Sequence, residues 1–265
     1  MATVLDEIIA AKHREVAEAK RLLDRETLEK RVASAPPARD FFGAISRTGS
    51  INLIAEFKRR SPSAGEILTG PLEGVTVEEI VAGYQVAGAA AISVLTDAAW
   101  FGGSLDDLAA AHAVSTVPVL RKEFVIDSLQ VQQARAAGAD AVLLIAECLD
   151  DCLLRSLHDE IVALGMTPLV ELHSGEHLPR VLEAGATVIG INNRDLHTMT
   201  TCLDHVLELR DRVPESCTLV AESGIRTRED VLRLEAAGID AMLVGESLLK
   251  SADPSAAAAA LLGRA

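Results

Sequence analysis

Four Ala-Gly pairs mark out this chain: Ala87-Gly88, Ala137-Gly138, Ala184-Gly185 and Ala237-Gly238. Their glycines fall 50, 47 and 53 residues apart, and each pair ends a helical stretch just before an apolar run. Glycine at that position permits the left-handed turn that closes a helix. A step of this size holds two strand–helix units, so four such signals at nearly even spacing mark quarter units of a closed array of eight. Short, apolar, partly β-branched runs supply the strands, at 51–58, 90–96, 117–122, 141–146, 168–172, 187–192, 217–222 and 241–245. Such runs suit parallel strands covered by helices. Helical stretches at 76–88, 104–114, 127–137, 150–164, 175–184, 201–212, 227–237 and 246–251 alternate with them. The expected fold is therefore α/β, a (β/α)8 TIM barrel. A doubly wound open sheet is the alternative, but it often carries a glycine-rich dinucleotide loop, and no GxGxxG occurs here.

Residues 3–31 carry an irregular apolar stripe and are expected to form one additional N-terminal helix, ended by Ala35-Pro36-Pro37. A short helical turn is expected at 40–45, and the alanine-rich 254–262 is helix-forming. The whole chain, 1–265, reads as a single barrel domain. In it, 1–50 is a helical extension packed on the barrel and 51–250 holds the eight units.

Thirty-nine acidic against 25 basic residues leave a formal charge of −14. That argues against nonspecific nucleic-acid binding and against an anionic membrane surface. No stretch of 18 apolar residues is present, and acids stand where a signal peptide needs bases. Cys148, Cys152, Cys202 and Cys217 form no CxxC pair, so reduced thiols in a cytoplasmic protein are expected, with Cys217 in the core of a strand. No HExxH or zinc spacing occurs, so no metal is expected.

Barrel enzymes do their chemistry at the C-terminal ends of their strands. Here the first strand ends in Glu56 and Lys58, which share a parity with Ile54 and point to one side. Lys122, Glu171 and Glu222 end later strands on the parity of an apolar residue two positions before, and Asn192-Asn193-Arg194-Asp195 ends another. A single strand-end acid or amine is often a structural ion pair. Five or six at successive ends make a pocket whose charges tune one another, suited to acid–base work on a polar substrate. Ser223-Gly224 and Gly245-Glu246-Ser247 follow the last two strands, where barrels often hold phosphate on backbone N–H groups, and Ser61 can add a hydroxyl. Trp100-Phe101 in a rim loop can line an apolar part of the pocket.

These segments resemble the indole-3-glycerol phosphate synthase family. The resemblance is carried by Ile54-Ala55-Glu56-Phe57-Lys58-Arg59-Arg60-Ser61-Pro62-Ser63, by Leu120-Arg121-Lys122-Glu123-Phe124, and by Gly190-Ile191-Asn192-Asn193-Arg194-Asp195-Leu196. Ala221-Glu222-Ser223-Gly224-Ile225 and Val244-Gly245-Glu246-Ser247-Leu248 extend it to nearly the whole chain. It implies conversion of 1-(2-carboxyphenylamino)-1-deoxyribulose 5-phosphate to indole-3-glycerol phosphate, carbon dioxide and water, with no metal or organic cofactor. Lys122, Glu171, Glu56 and Lys58 are then the expected catalytic residues. Lys122 protonates the ketone oxygen, and the division of the later steps among Glu56, Glu171 and Lys58 stays open. Asn192, Arg194, Glu222 and Phe101 are expected to bind the substrate, with Trp100 beside Phe101. Ser61, Ser223, Gly224, Gly245 and Ser247 are expected to bind its phosphate. The expected partner is this phosphorylated small molecule. The protein is expected to be a monomer, with at most weak association with other tryptophan-pathway enzymes. An isomerase of phosphoribosylanthranilate, a Schiff-base aldolase and a non-catalytic phosphosugar binder are the rival readings.

Overall fold

The computed structural model describes residues 3–195 and 200–264. Leu196, at the end of one family-like segment, lies outside them. Eight parallel strands close a barrel: β1 (Asn52–Phe57), β2 (Ala91–Leu95), β3 (Val119–Lys122), β4 (Ala141–Ile145), β5 (Thr167–Leu172), β6 (Val188–Asn192), β7 (Thr218–Glu222) and β8 (Ala241–Val244). Each pairs with its sequence neighbours, and β1 closes on β8 through Asn52 opposite Ala241 and Ala55 opposite Val244. Nearly every strand residue is buried, because one face meets the barrel interior and the other the helices. All four glycines of the Ala-Gly repeat take positive φ, between 71° and 95°, as the helix-ending turn demands.

The helices between strands are α4 (Val77–Ala87), α5 (Ala98–Phe101), α6 (Leu105–Val114), α7 (Ser128–Ala136), α8 (Asp151–Ala163), α9 (Leu178–Glu183), α10 (Asp204–Leu209) and α11 (Arg228–Ala236). After β8 come α12 (Glu246–Leu249) and α13 (Pro254–Leu261). Side-chain caps explain most of their starts. Thr76 and Glu79 form a reciprocal capping box on α4, and Asp127, Asp150 and Thr227 each accept from a first-turn N–H.

The N-terminal extension differs from the expected single helix. It forms α1 (Val4–Leu22), α2 (Arg25–Ser34) and α3 (Phe41–Ile45). The break falls at Leu23-Asp24 because the Asp24 carboxylate accepts from both Thr27 N and Thr27 Oγ1, starting a new helix. The extension clasps both ends of the barrel. Phe41 and Ile45 of α3 plug the end where strands begin, and Asn52 Nδ2 donates to Ile45 O at 2.9 Å. Leu5 and Ile8 of α1 join the interior cluster at the opposite end, with Phe124 and Ile145. There Lys12, only 3% exposed, places its Nζ 2.8 Å from Asp97, 3.0 Å from Glu123 and 2.6 Å from Glu15. Burial opposes its charge, but these carboxylates hold the ammonium above the ordinary amine range.

Other departures are smaller. The stretch expected to be helical from 175 begins its helix at Leu178, after a turn in which Glu147 accepts from His173 N and Ser174 N. The stretch from 201 begins at Asp204 and runs into a 3-10 turn, Arg210–Arg212. Cys217 sits just before β7 rather than inside it, and is half-buried. The loop after β1 folds into an antiparallel hairpin, Arg60–Ser61 with Gly65–Glu66, that the sequence pattern did not announce. No described helix is long and apolar enough to cross a membrane.

Candidate active site

The strand ends converge as their alternation requires. Glu56 is the penultimate residue of β1, and Lys58 lies one residue past its end. Their side chains meet, with Lys58 Nζ 2.7 Å from Glu56 Oε1. Across the mouth, Lys122 ends β3 and reaches two carboxylates at once. Its Nζ donates to Glu171 Oε2 of β5 at 2.6 Å and to Glu222 Oε2 of β7 at 2.5 Å. Asn192, at the end of β6, donates to Glu171 Oε1 at 3.0 Å and accepts from Arg194 N at 3.0 Å. Two glycines make room for this crowding. A side chain on Gly190 would collide with Glu222 Oε1, and a Cβ on Gly245 would lie 2.5 Å from Glu56 Oε1.

One ammonium between two buried carboxylates divides their protons unequally. Lys122 is held above the ordinary amine range: burial opposes its charge, but Glu171, Glu222 and Glu56 outweigh it. Glu171 falls below the usual carboxylate range. Burial pushes it up, but Lys122 and the Asn192 amide more than compensate. Glu222 is pushed up to about 8, first by burial and then by the charge of Glu171. Negative charge in the pair is therefore drawn toward Glu171 and the proton toward Glu222. Glu222 Oε1 is buried without a hydrogen-bond partner and lies over Gly190.

A cavity of about 530 Å³ opens over this cluster, and every residue expected at the site except Trp100 lines it. Its walls divide by chemistry. Val4, Leu5, Ile8, Phe101, Phe124, Leu143 and Ile145 form an apolar side, with the Phe101 and Phe124 rings 6.2 Å apart. Ser61, Arg194, Ser223, Gly224, Gly245, Ser247 and Lys250 belong to the polar side. Ser223 takes a left-handed φ of 66° and Gly224 one of 84°. A non-glycine residue held there costs on the order of 1–3 kcal/mol, and such strain gathers at ligand-binding turns. The Ser247 hydroxyl donates to Ile225 O at 2.9 Å, and Ser61 Oγ accepts from Ala64 N. Both hydroxyls thus brace the turns beside the cavity.

Trp100 does not share the role of Phe101. It is absent from the cavity wall and packs partly buried against the interior cluster that includes Leu5 and Ile8. Sequence reasoning missed the contribution of α1 and that of Phe124, Arg226 and Lys250. Two signals pointed to them: Phe124 shares a parity with Lys122, and Lys250 stands one helical turn after Glu246.

Residues 5–261 match the family model for indole-3-glycerol phosphate synthase. The chain belongs to that family. The indole-3-glycerol phosphate synthase of Rhodopirellula baltica is 44% identical over 260 residues, covering 98% of this chain and 99% of that one. The Mycobacterium ulcerans enzyme of the same name is 43% identical over 263 residues, covering 98% and 94%. Among solved structures, 3-hexulose-6-phosphate synthase from Salmonella typhimurium superposes with a TM-score of 0.63 at 15% identity, over 81% of this chain and 98% of that one. Thiamine phosphate pyrophosphorylase from Pyrococcus furiosus gives 0.58 at 16%, over 79% and 93%. At such identities these two superpositions show the barrel fold alone.

Proposed function

We propose that the strand-end cluster performs the reaction of the family with a definite division of labour. The chain is an indole-3-glycerol phosphate synthase, a carboxy-lyase of tryptophan biosynthesis. It converts 1-(2-carboxyphenylamino)-1-deoxyribulose 5-phosphate to indole-3-glycerol phosphate, carbon dioxide and water. In the first step the ring carbon bearing the carboxylate attacks the sugar ketone carbon. Lys122 protonates the ketone oxygen as that bond forms. The observation that carries this role is its ammonium, held between Glu171 and Glu222 at 2.6 and 2.5 Å. An amine kept charged in this way is an acid, not the nucleophile a Schiff base needs.

Loss of carbon dioxide then restores the aromatic ring. Lys58 holds the departing carboxylate, oriented by Glu56. Dehydration removes a hydroxyl with a proton from the acid side, while Glu171, the charged member of its pair, takes a proton from the ring-closed intermediate. Glu222, Asn192 and Arg194 position the sugar hydroxyls. Ser61, the Ser223-Gly224 turn and Gly245–Ser247 hold the phosphate, and Phe101 covers the anthranilate ring on the apolar side. Fixing both ends of a flexible substrate supplies much of the rate.

The extension and barrel act as one domain over 1–265, joined by the buried Lys12 cluster and the Phe41–Ile45 plug. The protein works as a cytoplasmic monomer. Its four unpaired cysteines agree with a reducing compartment.

The test is an indole-fluorescence assay with the carboxyphenylamino-deoxyribulose phosphate, comparing wild type with Lys122→Met and Glu171→Gln. Emission from wild type alone supports these roles. Full activity in Lys122→Met removes the proposed acid.

A further inference from the structure

The side chain of Glu246, a carboxylate of the cavity wall, has no part in the steps above. Glu246 opens α12 between Gly245 and Ser247 and lines the cavity. Its Oε1 accepts from Lys250 Nζ at 2.6 Å, and its Oε2 lies 3.5 Å from Arg194 Nη2. Burial alone would push its proton affinity up. Lys250, Arg194 and Lys58 outweigh that and hold the carboxylate below its ordinary range, so it is charged at neutral pH. Arg226 lines the same cavity. Lys250 and Arg194 thus face Glu246 directly, with Arg226 on the same cavity wall and Lys58 paired to Glu56 beyond them.

The Glu246 anion stands where an incoming phosphate would be repelled by it. A site built only to hold phosphate tightly would omit it. We propose that Glu246 is a resident counter-ion of the phosphate subsite: it holds Arg194 and Lys250 while the site is empty and yields them to the phosphate on binding. The inference rests on placing the phosphate at Ser223–Gly224 and Gly245–Ser247. Its consequence is selectivity. Bare phosphate must displace Glu246 and gains nothing else. The substrate meets the same cost and recovers it through Lys58 and the apolar side of the cavity. Product escape is helped in the same way, because Glu246 reclaims the two cations as the phosphate leaves.

Competitive inhibition by inorganic phosphate at constant ionic strength tests this, with melting temperatures recorded for each variant. Glu246→Gln is expected to tighten the inhibition constant by at least about fivefold, the size of a partly buried charge pair. Lys250→Met, which leaves the Glu246 charge less opposed, is expected to weaken it by a similar factor, and the double variant to return near wild type. An inhibition constant within twofold of wild type in Glu246→Gln overturns the proposal while leaving the phosphate placement standing. Failure of phosphate to compete with substrate in the wild type overturns both. If Glu246→Gln does not fold, Lys250→Met decides: weaker inhibition supports the proposal and unchanged inhibition ends it.

Discussion

Lys12→Met is the most informative single change outside the catalytic cluster. It deletes an ammonium that lies within 3.0 Å of both Asp97 and Glu123, whose side chains are 0% and 4% exposed. Truncating one partner of a buried ion pair costs about 3–5 kcal/mol, because a buried charge, here that of Asp97, is left without its cation, while Glu123 keeps Arg121 at 3.5 Å. The main apolar anchors of α1 are Leu5, Ile8 and Val16, all buried. At about 1.5–3 kcal/mol each they contribute roughly 5–9 kcal/mol before any ordering cost. Loss of the ammonium therefore cancels about half of what holds α1 to the barrel. Trp100 is the sole tryptophan, and its backbone N–H donates to Asp97 Oδ1 at 2.7 Å, so its fluorescence reports on this joint. In urea, wild type is expected to unfold in one transition by fluorescence and circular dichroism. In Lys12→Met the fluorescence change should come first, with a raised KM, because Val4, Leu5 and Ile8 line the cavity. Lys20→Met is the comparator. Lys20 also pairs with an acid, Asp127 at 2.5 Å, but is 52% exposed, so its loss should cost less than about 1 kcal/mol. The reasoning is refuted if Lys12→Met matches Lys20→Met in stability and keeps the wild-type KM.

Three further outcomes are expected. Because Glu222 is pushed up to about 8, the folded state binds more protons than the unfolded one between about pH 4.3 and 8. Stability should fall as pH rises through that window, by at most about 1.4 kcal/mol per unit, and chemical denaturation across pH should show the slope flattened in Glu222→Gln. Gly190→Ala drives a methyl into Glu222 Oε1, so kcat should drop by about 10²-fold in steady-state assays while the fold persists by circular dichroism. Phe101→Ala removes one wall of the apolar side and should raise KM by about tenfold with a smaller change in kcat.

The barrel was legible because its signals are local and repeated. An apolar run, a cap such as Thr76 and a closing glycine such as Gly88 each declare themselves within a few residues. The strand-end residues were legible for the same reason, since parity alone carries Lys122, Glu171 and Glu222 inward. What escaped depends on partners far along the chain. The apolar stripe runs on past Leu22, so it hid a break set by one aspartate cap. Lys12 looks like any charge on a helix until Asp97 and Glu123 close around it. The two-residue strands of the hairpin are too short to show a period. The demand that Gly190 stay bare arises only when β6 and β7 pair and bring Glu222 over it.

The seam between β1 and β8 sets a timetable for synthesis. Asn52 emerges from the ribosome well before its pairing partner Ala241, which is made 189 residues later (241 − 52). At 5–20 residues per second, β1 waits roughly 10–40 s with one edge unpaired. A bare edge of apolar backbone is an invitation to pair with another chain. Phe41–Ile45 and the start of β1 are made together, and Asn52 already bonds to Ile45 and Arg47. The plug and the start of the first strand can therefore hold one another through the interval before β8 arrives.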